Sequence, residues 1–448
     1  MNIDKAINWM LNNWNKDEGI IVTSKQRISY PEVTGYYIPT LLNLGYREEA
    51  YNAGRWLALI QKKDGSIPLG LNRFTFDTAM VLSGWIELGG YEEQRKKACE
   101  FLMSQIKEDG SISTEFHANG VPEKINLWVA KLLYKERYVE HARKIWNYYA
   151  HNSKTVDFDC LSHFHCYVLD ACYDTPLHDI SLRGIKFLYD IQRSDGSIPA
   201  YRNVNWTCYT GVAQAAILFY RMGLDAKKQM EYLAKVMSPD GGFYGSSGAY
   251  FGDQKVSWAV KFYIDAYLEM IKFEINKQCN RFSDTVERRD SRMLTILNTF
   301  NSKDIKVLDV GCGKGRYAKH LIEAGIKVYG IDISSKLLEF CDKNIIKKEG
   351  NATRIPYPDN TFDGIYCIEV LEHTSYVIDN AIKEMCRVLK SGGKLVVIDK
   401  SNKLGGGKEG WESWFDLGIV RKIFERYFIN IEAYQLSNIF LVWKGVKK

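Results

Sequence analysis

Gly311, Gly313 and Gly315, crowded into VLDVGCGKG (residues 307–315), constrain this chain more than any other feature. Val307, Leu308 and Val310 read as a buried parallel strand. The glycines then let the backbone turn tightly and approach a ligand where any Cβ would collide, and residues 316–324 have the composition of the helix that follows. A second strand, Lys327 to Ile331, ends in Asp332, at the sequence distance where an acidic side chain grips ribose hydroxyls in nucleotide-binding α/β folds. The pocket described is one for an adenosine-like ligand.

A dinucleotide-binding loop would need glycine where Arg316 stands; the spacing here is Gly-x-Gly-x-Gly instead. The chain continues with EGNATRIPYPDNTFDGIYCIEVLEH (349–373) and MCRVLKSGGKLVVID (385–399). With these segments, residues 283–448 resemble the class I S-adenosylmethionine-dependent methyltransferases of the type 11 kind, through their third to fifth strands. The resemblance implies a Rossmann-like, seven-stranded α/β domain with S-adenosyl-L-methionine as cofactor. It implies that Asp309 and Gly311 face the methionine part, that Gly313 and Gly315 open the loop, and that Asp332 takes both ribose hydroxyls. Asn351 stands where many relatives carry an aspartate bonded to the adenine amino group, and its side-chain oxygen can still accept that bond. Ala352 would offer its N–H to the ring. Ile333 would pack on the adenine face or serve as an ordinary core residue.

Glu369, Glu372 and His373 close the expected fourth strand, with Glu369 also at the cofactor. Because a sulfonium methyl is already electrophilic, the protein has to hold a nucleophile in line and remove its proton. An unperturbed imidazole titrates near neutrality, which suits His373 to the base role. The Glu-x-x-Glu-His spacing also resembles the metal-binding strand end of some small-RNA and quinone methyltransferases; such a site needs further ligands and no histidine follows His373, so no metal is assigned. A structural role at a helix start is the third reading. In SNKLGGGKEGWESWFDLG (401–418), Gly405 to Gly407 read as a hinge, and Trp411, Trp414 and Phe415 as a lid over an acceptor or as a cover for the core edge. FINIEAYQL and IFLVWKGV read as a closing antiparallel pair.

Residues 1–272 are marked by repetition. LIQKKDGSIPLG (59–70), MSQIKEDGSIST (103–114), DIQRSDGSIPAY (190–201) and KVMSPDGGFYGS (235–246) recur at a period of roughly 45 residues with one doubled gap. LNNWNKDEGIIV (11–22) is a degenerate first copy and residues 143–158 fill the gap, making six units. Each unit reads as an amphipathic helix ending at Asp-Gly, a loop, and a more apolar helix starting near Gly35, Phe76, Ile125, His163, Thr207 or Val256. Helical hairpins stacked in a closed ring leave no exposed end, which is an (α/α)6 toroid. The Q-x-x-D-G-S-I element resembles repeats of squalene and hopene cyclases, protein prenyltransferases and toroidal glycan-processing enzymes, a likeness of fold rather than chemistry.

In such rings the loops before the inner helices converge, which selects Tyr30, Glu32, Tyr36, Arg73, Asp77, Asn126, His163, His165, Trp206, Asp253, Lys255 and Trp258. Among these Glu32, Asp77, His163 and Trp258 are the expected substrate contacts, with Trp411 and Trp414 from the other domain. Asp157-Phe158-Asp159 is followed by Cys160, so the Asp-x-Asp-Asp acid motif of terpene cyclases is not intact. Aromatic, carboxylate and imidazole groups around a concavity suit a carbohydrate.

A 448-residue chain with 46% hydrophobic residues can bury two cores. Its net charge of +6, without a long basic tract, argues against nucleic acid as the main partner. Ten scattered cysteines with no Cys-x-x-Cys pair fit a reducing compartment. No apolar run has the length of a signal peptide or a membrane span, so a cytoplasmic location is expected. Residues 273–282 read as linker, and Ser283 as the N-cap of a helix to Phe300, with Arg288 or Arg289 reaching toward the cofactor. The expectation is a two-domain methyltransferase acting on oxygen of a small-molecule or glycan acceptor held or modified by the toroid. The alternatives are a toroid that only docks a partner and a cyclase-like or isoprenoid-binding toroid.

Overall fold

The computed structural model describes residues 2–152, 154–404 and 412–448. Contacts divide the chain into two compact units, residues 1–41 with 47–270 and residues 42–46 with 271–448.

Twelve α-helices alternate through the first of these among the described residues. The amphipathic series is α1 (Ile3–Asn12), α3 (Arg47–Ile60), α5 (Glu92–Ser104), α7 (Val139–His151), α9 (His178–Asp190) and α11 (Lys227–Val236). The apolar series is α2 (Pro31–Leu44), α4 (Thr75–Leu88), α6 (Leu127–Lys135), α8 (Ser162–Cys172), α10 (Tyr209–Arg221) and α12 (Ser257–Lys277). In α10 every residue from Thr210 to Tyr220 is buried, the pattern of a helix enclosed on all sides. Small residues let the apolar helices approach: a Cβ on Gly35 would lie 2.7 Å from Val81 Cα, and one on Gly211 2.3 Å from Ser162 Oγ.

The Asp-Gly repeats do not end helices, as the sequence suggests; they form the turns after them. Gly65, Gly110, Gly196 and Gly241 have φ of 88°, 92°, 87° and 92°. Asp64, Asp109, Asp195 and Asp240 each accept the N–H two residues on, at 3.1, 2.9, 2.9 and 3.1 Å. The aspartate satisfies the backbone locally, so the helix stops before it. Each glycine lies flush on an amphipathic helix of another unit: an added Cβ would stand 2.0 Å from Lys97 O, 2.3 Å from Lys144 O, 2.3 Å from Lys228 O and 2.0 Å from Lys5 O. The last of these joins the turn after α11 to α1. Thr23 likewise bridges to Val256, Tyr37 donates to Ser257 O at 2.7 Å, and Thr40 donates to Asp265 at 2.7 Å.

The second unit holds a seven-stranded sheet of β1 (Lys306–Val310), β2 (Lys327–Asp332), β3 (Ile346–Glu349), β4 (Phe362–Ile368), β5 (Leu389–Lys400), β6 (Phe428–Gln435) and β7 (Phe440–Lys447). Its order is β3-β2-β1-β4-β5-β7-β6, parallel except where β7 runs antiparallel to β5 and β6. Alternate residues of the central strands serve opposite faces. Leu308, Ile365 and Leu395 join Met385 and Phe424, whereas Val307, Tyr366 and Val396 join Met293, Ile296 and Leu321. The fold is a Rossmann-like α/β domain with a mostly parallel sheet.

Two local expectations are corrected. Residues 273–277 continue α12 rather than forming linker. The helix expected from Ser283 runs Ser291–Thr299, capped by Asp290, whose side chain accepts Arg292 N at 2.8 Å, while the Ser283 hydroxyl bonds Thr285.

Candidate functional site

Parallel strands bring their C-terminal ends to one edge, and β1, β2, β4 and β5 end there in Val310, Asp332, Ile368 and Lys400. After β1 the chain turns through Gly311, Gly313 and Gly315 at φ of 74°, 52° and 76°, a region side chains avoid. A Cβ on Gly311 would meet Val370 at 2.2 Å and one on Gly315 would meet Ile345 at 2.4 Å, but one on Gly313 would meet nothing within 4 Å. Gly313 is therefore the place where the loop leaves room for a ligand. Asp332, buried, accepts Gly313 N at 2.8 Å through one oxygen and Ser334 N at 2.9 Å through the other. A carboxylate oxygen can accept a second bond, so the donor set suits two ribose hydroxyls. Burial holds Asp332 above the usual carboxylate range.

Asp309 is buried on β1 and accepts the Tyr366 hydroxyl at 2.9 Å; burial pushes its pKa up to about 7. Ile333, next after β2, is half-buried. Ala352 is buried in the core. The Asn351 side-chain oxygen accepts Thr353 N at 3.1 Å, which ties it into its own turn.

Glu369 follows β4 with a φ of 56°, a strained conformation for a non-glycine residue. Two arginines hold its carboxylate, Arg292 at 2.6 Å and Arg316 at 3.0 Å. Arg292 thus reaches this edge, because the Asp290 cap fixes the start of its helix (α13, Ser291–Thr299). One residue group beyond, Glu372 is buried and paired with Lys400 at 2.9 Å. Burial, opposed by Lys400, raises its pKa to about 7. His373 lies 3.6 Å from Glu372, and burial, then Lys400, lowers its pKa to about 4. Its Nδ1 has no hydrogen-bond partner among the described residues.

Sequence reasoning missed Lys400 and Glu412. Ligand atoms of Glu372, His373 and Glu412 lie within 4.8 Å of one another, a set of metal-ligating types. The Lys400 ammonium stands among the same acids, 3.8 Å from Glu412 and 4.0 Å from Glu369, and already supplies positive charge there. Trp414 is half-buried beside it, donating to Glu412 at 3.3 Å with Lys400 Nζ 5.8 Å from its ring centre. Gly405 to Gly407 and Trp411 lie outside the described residues. Phe415 is buried and packs on Trp443 at 6.4 Å, in line with the reading of this segment as a cover for the core edge.

In the first unit, starts of the apolar helices do meet. His163 and Tyr167 ring centres are 4.9 Å apart, Tyr167 lies 5.1 Å from Phe76 and 5.7 Å from Phe262, and Tyr36 lies 5.8 Å from Phe262. Tyr250 is 6.2 Å from His163 and 6.4 Å from Trp258. The Tyr30 hydroxyl reaches the Asp77 carboxyl, and Glu32 and Asp77 sense each other. Burial pushes Asp77 up to about 7 and Glu32 well above its ordinary value. His163 Nδ1 bonds Gln214 Oε1 at 2.8 Å, and burial lowers its pKa to about 4. Arg73, Asp253 and Lys255 instead pair with Asp64, Lys25 and Asp240. His165 is buried against Phe158, Asn126 contacts His117, and Trp206 packs beside Tyr201.

Residues 308–397 match the family described as "Methyltransferase domain". An uncharacterised protein of Methanocaldococcus jannaschii is 40% identical over 98 residues, which cover 22% of this chain and 42% of that protein. A demethylmenaquinone methyltransferase of Geobacillus is 36% identical over 110 residues, covering 22% of this chain and 47% of that protein. The chain thus spans less than half the length of either relative. A solved structure of a SAM-dependent methyltransferase from Aquifex aeolicus aligns with a TM-score of 0.33 at 21% identity, over 39% of this chain and 98% of that one. Among the described residues no helix is long and apolar enough to cross a membrane. The second unit of this chain carries a methyltransferase domain.

Proposed function

We propose that the chain transfers the methyl group of S-adenosylmethionine to an oxygen of a small-molecule acceptor. The observation that carries this is the left-handed glycine loop of residues 311–315, open at Gly313 and tied at that residue to Asp332. When bound, the cofactor supplies a methyl made electrophilic by its sulfonium. Asp332 would hold the ribose hydroxyls and Asp309 the amino end. His373, neutral at pH 7, would accept the acceptor's hydroxyl proton, with the Glu372–Lys400 pair orienting it and Trp414 covering the acceptor. Glu369, held by two arginines, would keep the loop after β4 in place.

The first unit is read as an (α/α)6 toroid. That reading is supported by the four Asp-Gly turns, each resting on an amphipathic helix of another unit, and by the contacts of α1 and α2 with α12 and the turn before it. Its aromatic and acidic helix starts would bind the acceptor, for which a sugar is the first candidate. A quinone-ring carbon is the second reading, favoured by the name of the Geobacillus relative.

Calorimetry with S-adenosylmethionine tests the core of the proposal. The parent should bind, and Asp332→Ala should lose about 1.5–3 kcal/mol, roughly 10- to 150-fold in affinity. A parent that does not bind refutes the function, and unchanged affinity in the variant removes Asp332 from the ribose.

A further inference from the structure

Two carboxylates face each other at the inner-helix starts of the first unit. Glu32 opens α2, Asp77 opens α4, and among the described residues no ion pair includes either. A buried carboxylate without a counter-ion is costly, and two together cost more. Asp77 is only 6% exposed, yet its Oδ2 has no hydrogen-bond partner among the described residues. Glu32 stays half-exposed although protein surrounds it densely, as expected at the bottom of a hollow rather than on a convex surface.

The remaining groups offer acceptors and π faces. Tyr30, Tyr36 and Tyr250 all act on Glu32 or are acted on by it. His163, neutral and with Nδ1 bonded to the Gln214 oxygen, is left with Nε2 as an acceptor. The ammonium nearest the aromatic cluster, Lys261, is 4.0 Å from the Phe262 ring centre and 5.3 Å from that of Tyr36, and it is committed to Asp265 at 2.7 Å. It shows what these rings accommodate, while its pairing leaves Glu32 and Asp77 uncompensated. Aromatic faces serve sugar rings and ammonium groups alike; the unpaired carboxylates decide for the ammonium.

We propose that the inner-helix starts of the first unit bind an organic cation, a protonated amine or a quaternary ammonium, gripped by Glu32 and Asp77 and walled by Tyr36, Tyr167, Tyr250 and Trp258. This deepens the reading of these helix starts as the acceptor site, narrowing a sugar acceptor to an amino sugar, and it does not depend on methyl transfer. Binding the cation releases one proton from the pair, leaving a single negative charge that balances the cation. The titratable and charged groups around it are Tyr30 just before α2, Glu32 and Tyr36 of α2, Asp77 of α4, His163 and Tyr167 of α8, Lys261 of α12 and Tyr250. Because the carboxyl pair is the one held neutral near pH 7, affinity should rise with pH, up to tenfold per unit below the point where the pair loses its proton.

The test is calorimetry on the full chain with choline and glucosamine, set against their neutral counterparts 3,3-dimethyl-1-butanol and glucose. Runs at pH 6 in two buffers of different ionisation enthalpy count released protons. At least one cation should bind at least tenfold more tightly than its counterpart and release protons, and Glu32→Gln or Asp77→Asn should weaken it tenfold or more. Tyr30→Phe, which removes a bond that lowers the Asp77 pKa, should move the pH midpoint of binding upward if either carboxamide variant fails to fold. Equal binding of glucose and glucosamine overturns the cation and leaves the sugar reading standing. Binding of neither cation at millimolar concentration, or binding without proton release, overturns the proposal outright. S-adenosylmethionine binding by the same sample reports separately on the methyltransferase.

Discussion

At position 373 a half-buried imidazole sits beside a buried carboxyl that is itself paired with an ammonium. Burial and Lys400 both disfavour the imidazolium, so the ring is neutral above about pH 4. His373→Ala is expected to lower turnover by about 10²–10⁴-fold, with S-adenosylmethionine affinity unchanged by calorimetry. A limb of the parent's pH–rate profile near pH 7 that vanishes in Glu372→Gln belongs to Glu372, whose pKa is raised to about 7; one that persists there belongs to Asp309, likewise pushed up to about 7, and not to His373. Full turnover in His373→Ala would leave the imidazole a packing role only.

Among elements, the Asp-Gly turn is the unit on which the helical repeat depends. Gly241 and Gly223 have similar left-handed φ, 92° and 79°, but differ in surroundings. A Cβ on Gly241 would stand 2.0 Å from the Lys5 carbonyl, whereas one on Gly223 would meet nothing within 4 Å. Gly223→Ala should therefore cost only the backbone strain, about 1–2 kcal/mol. Gly241→Ala should add overpacking, for a total of about 2–5 kcal/mol. Urea unfolding followed by circular dichroism measures both, and equal costs would mean that the turn does not bear on α1.

For the whole molecule, buried carboxyls set a pH dependence of stability. Asp77 in the folded chain keeps its proton up to about pH 7, against about 4 when unfolded. Its folded pKa is raised, so this contribution is greatest below pH 4, falls as pH rises through that window and is gone above it. Asp77→Asn removes the dependence. It should melt higher than the parent at pH 8, by about 2–4 °C per kcal/mol for a unit of this size, and converge with the parent at pH 4. An identical difference at both pH values would refute the assigned ionisation. What the sequence alone determined is what local chemistry dictates. Glycine spacing at 311, 313 and 315 encodes a left-handed backbone that residues with a Cβ adopt only under strain, strand and helix periods encode faces, and Asp-Gly with its repeat spacing encodes turns. The tertiary structure alone decided the partners. Arg292 and Arg316 on Glu369, and Lys400 and Glu412 beside His373, rest on side-chain pairings worth about 1 kcal/mol each, which have no signature in residue order. The Glu32–Asp77 pair stands between the two: the repeat register places both acids at apolar-helix starts, and the packing of α2 on α4 sets them near each other.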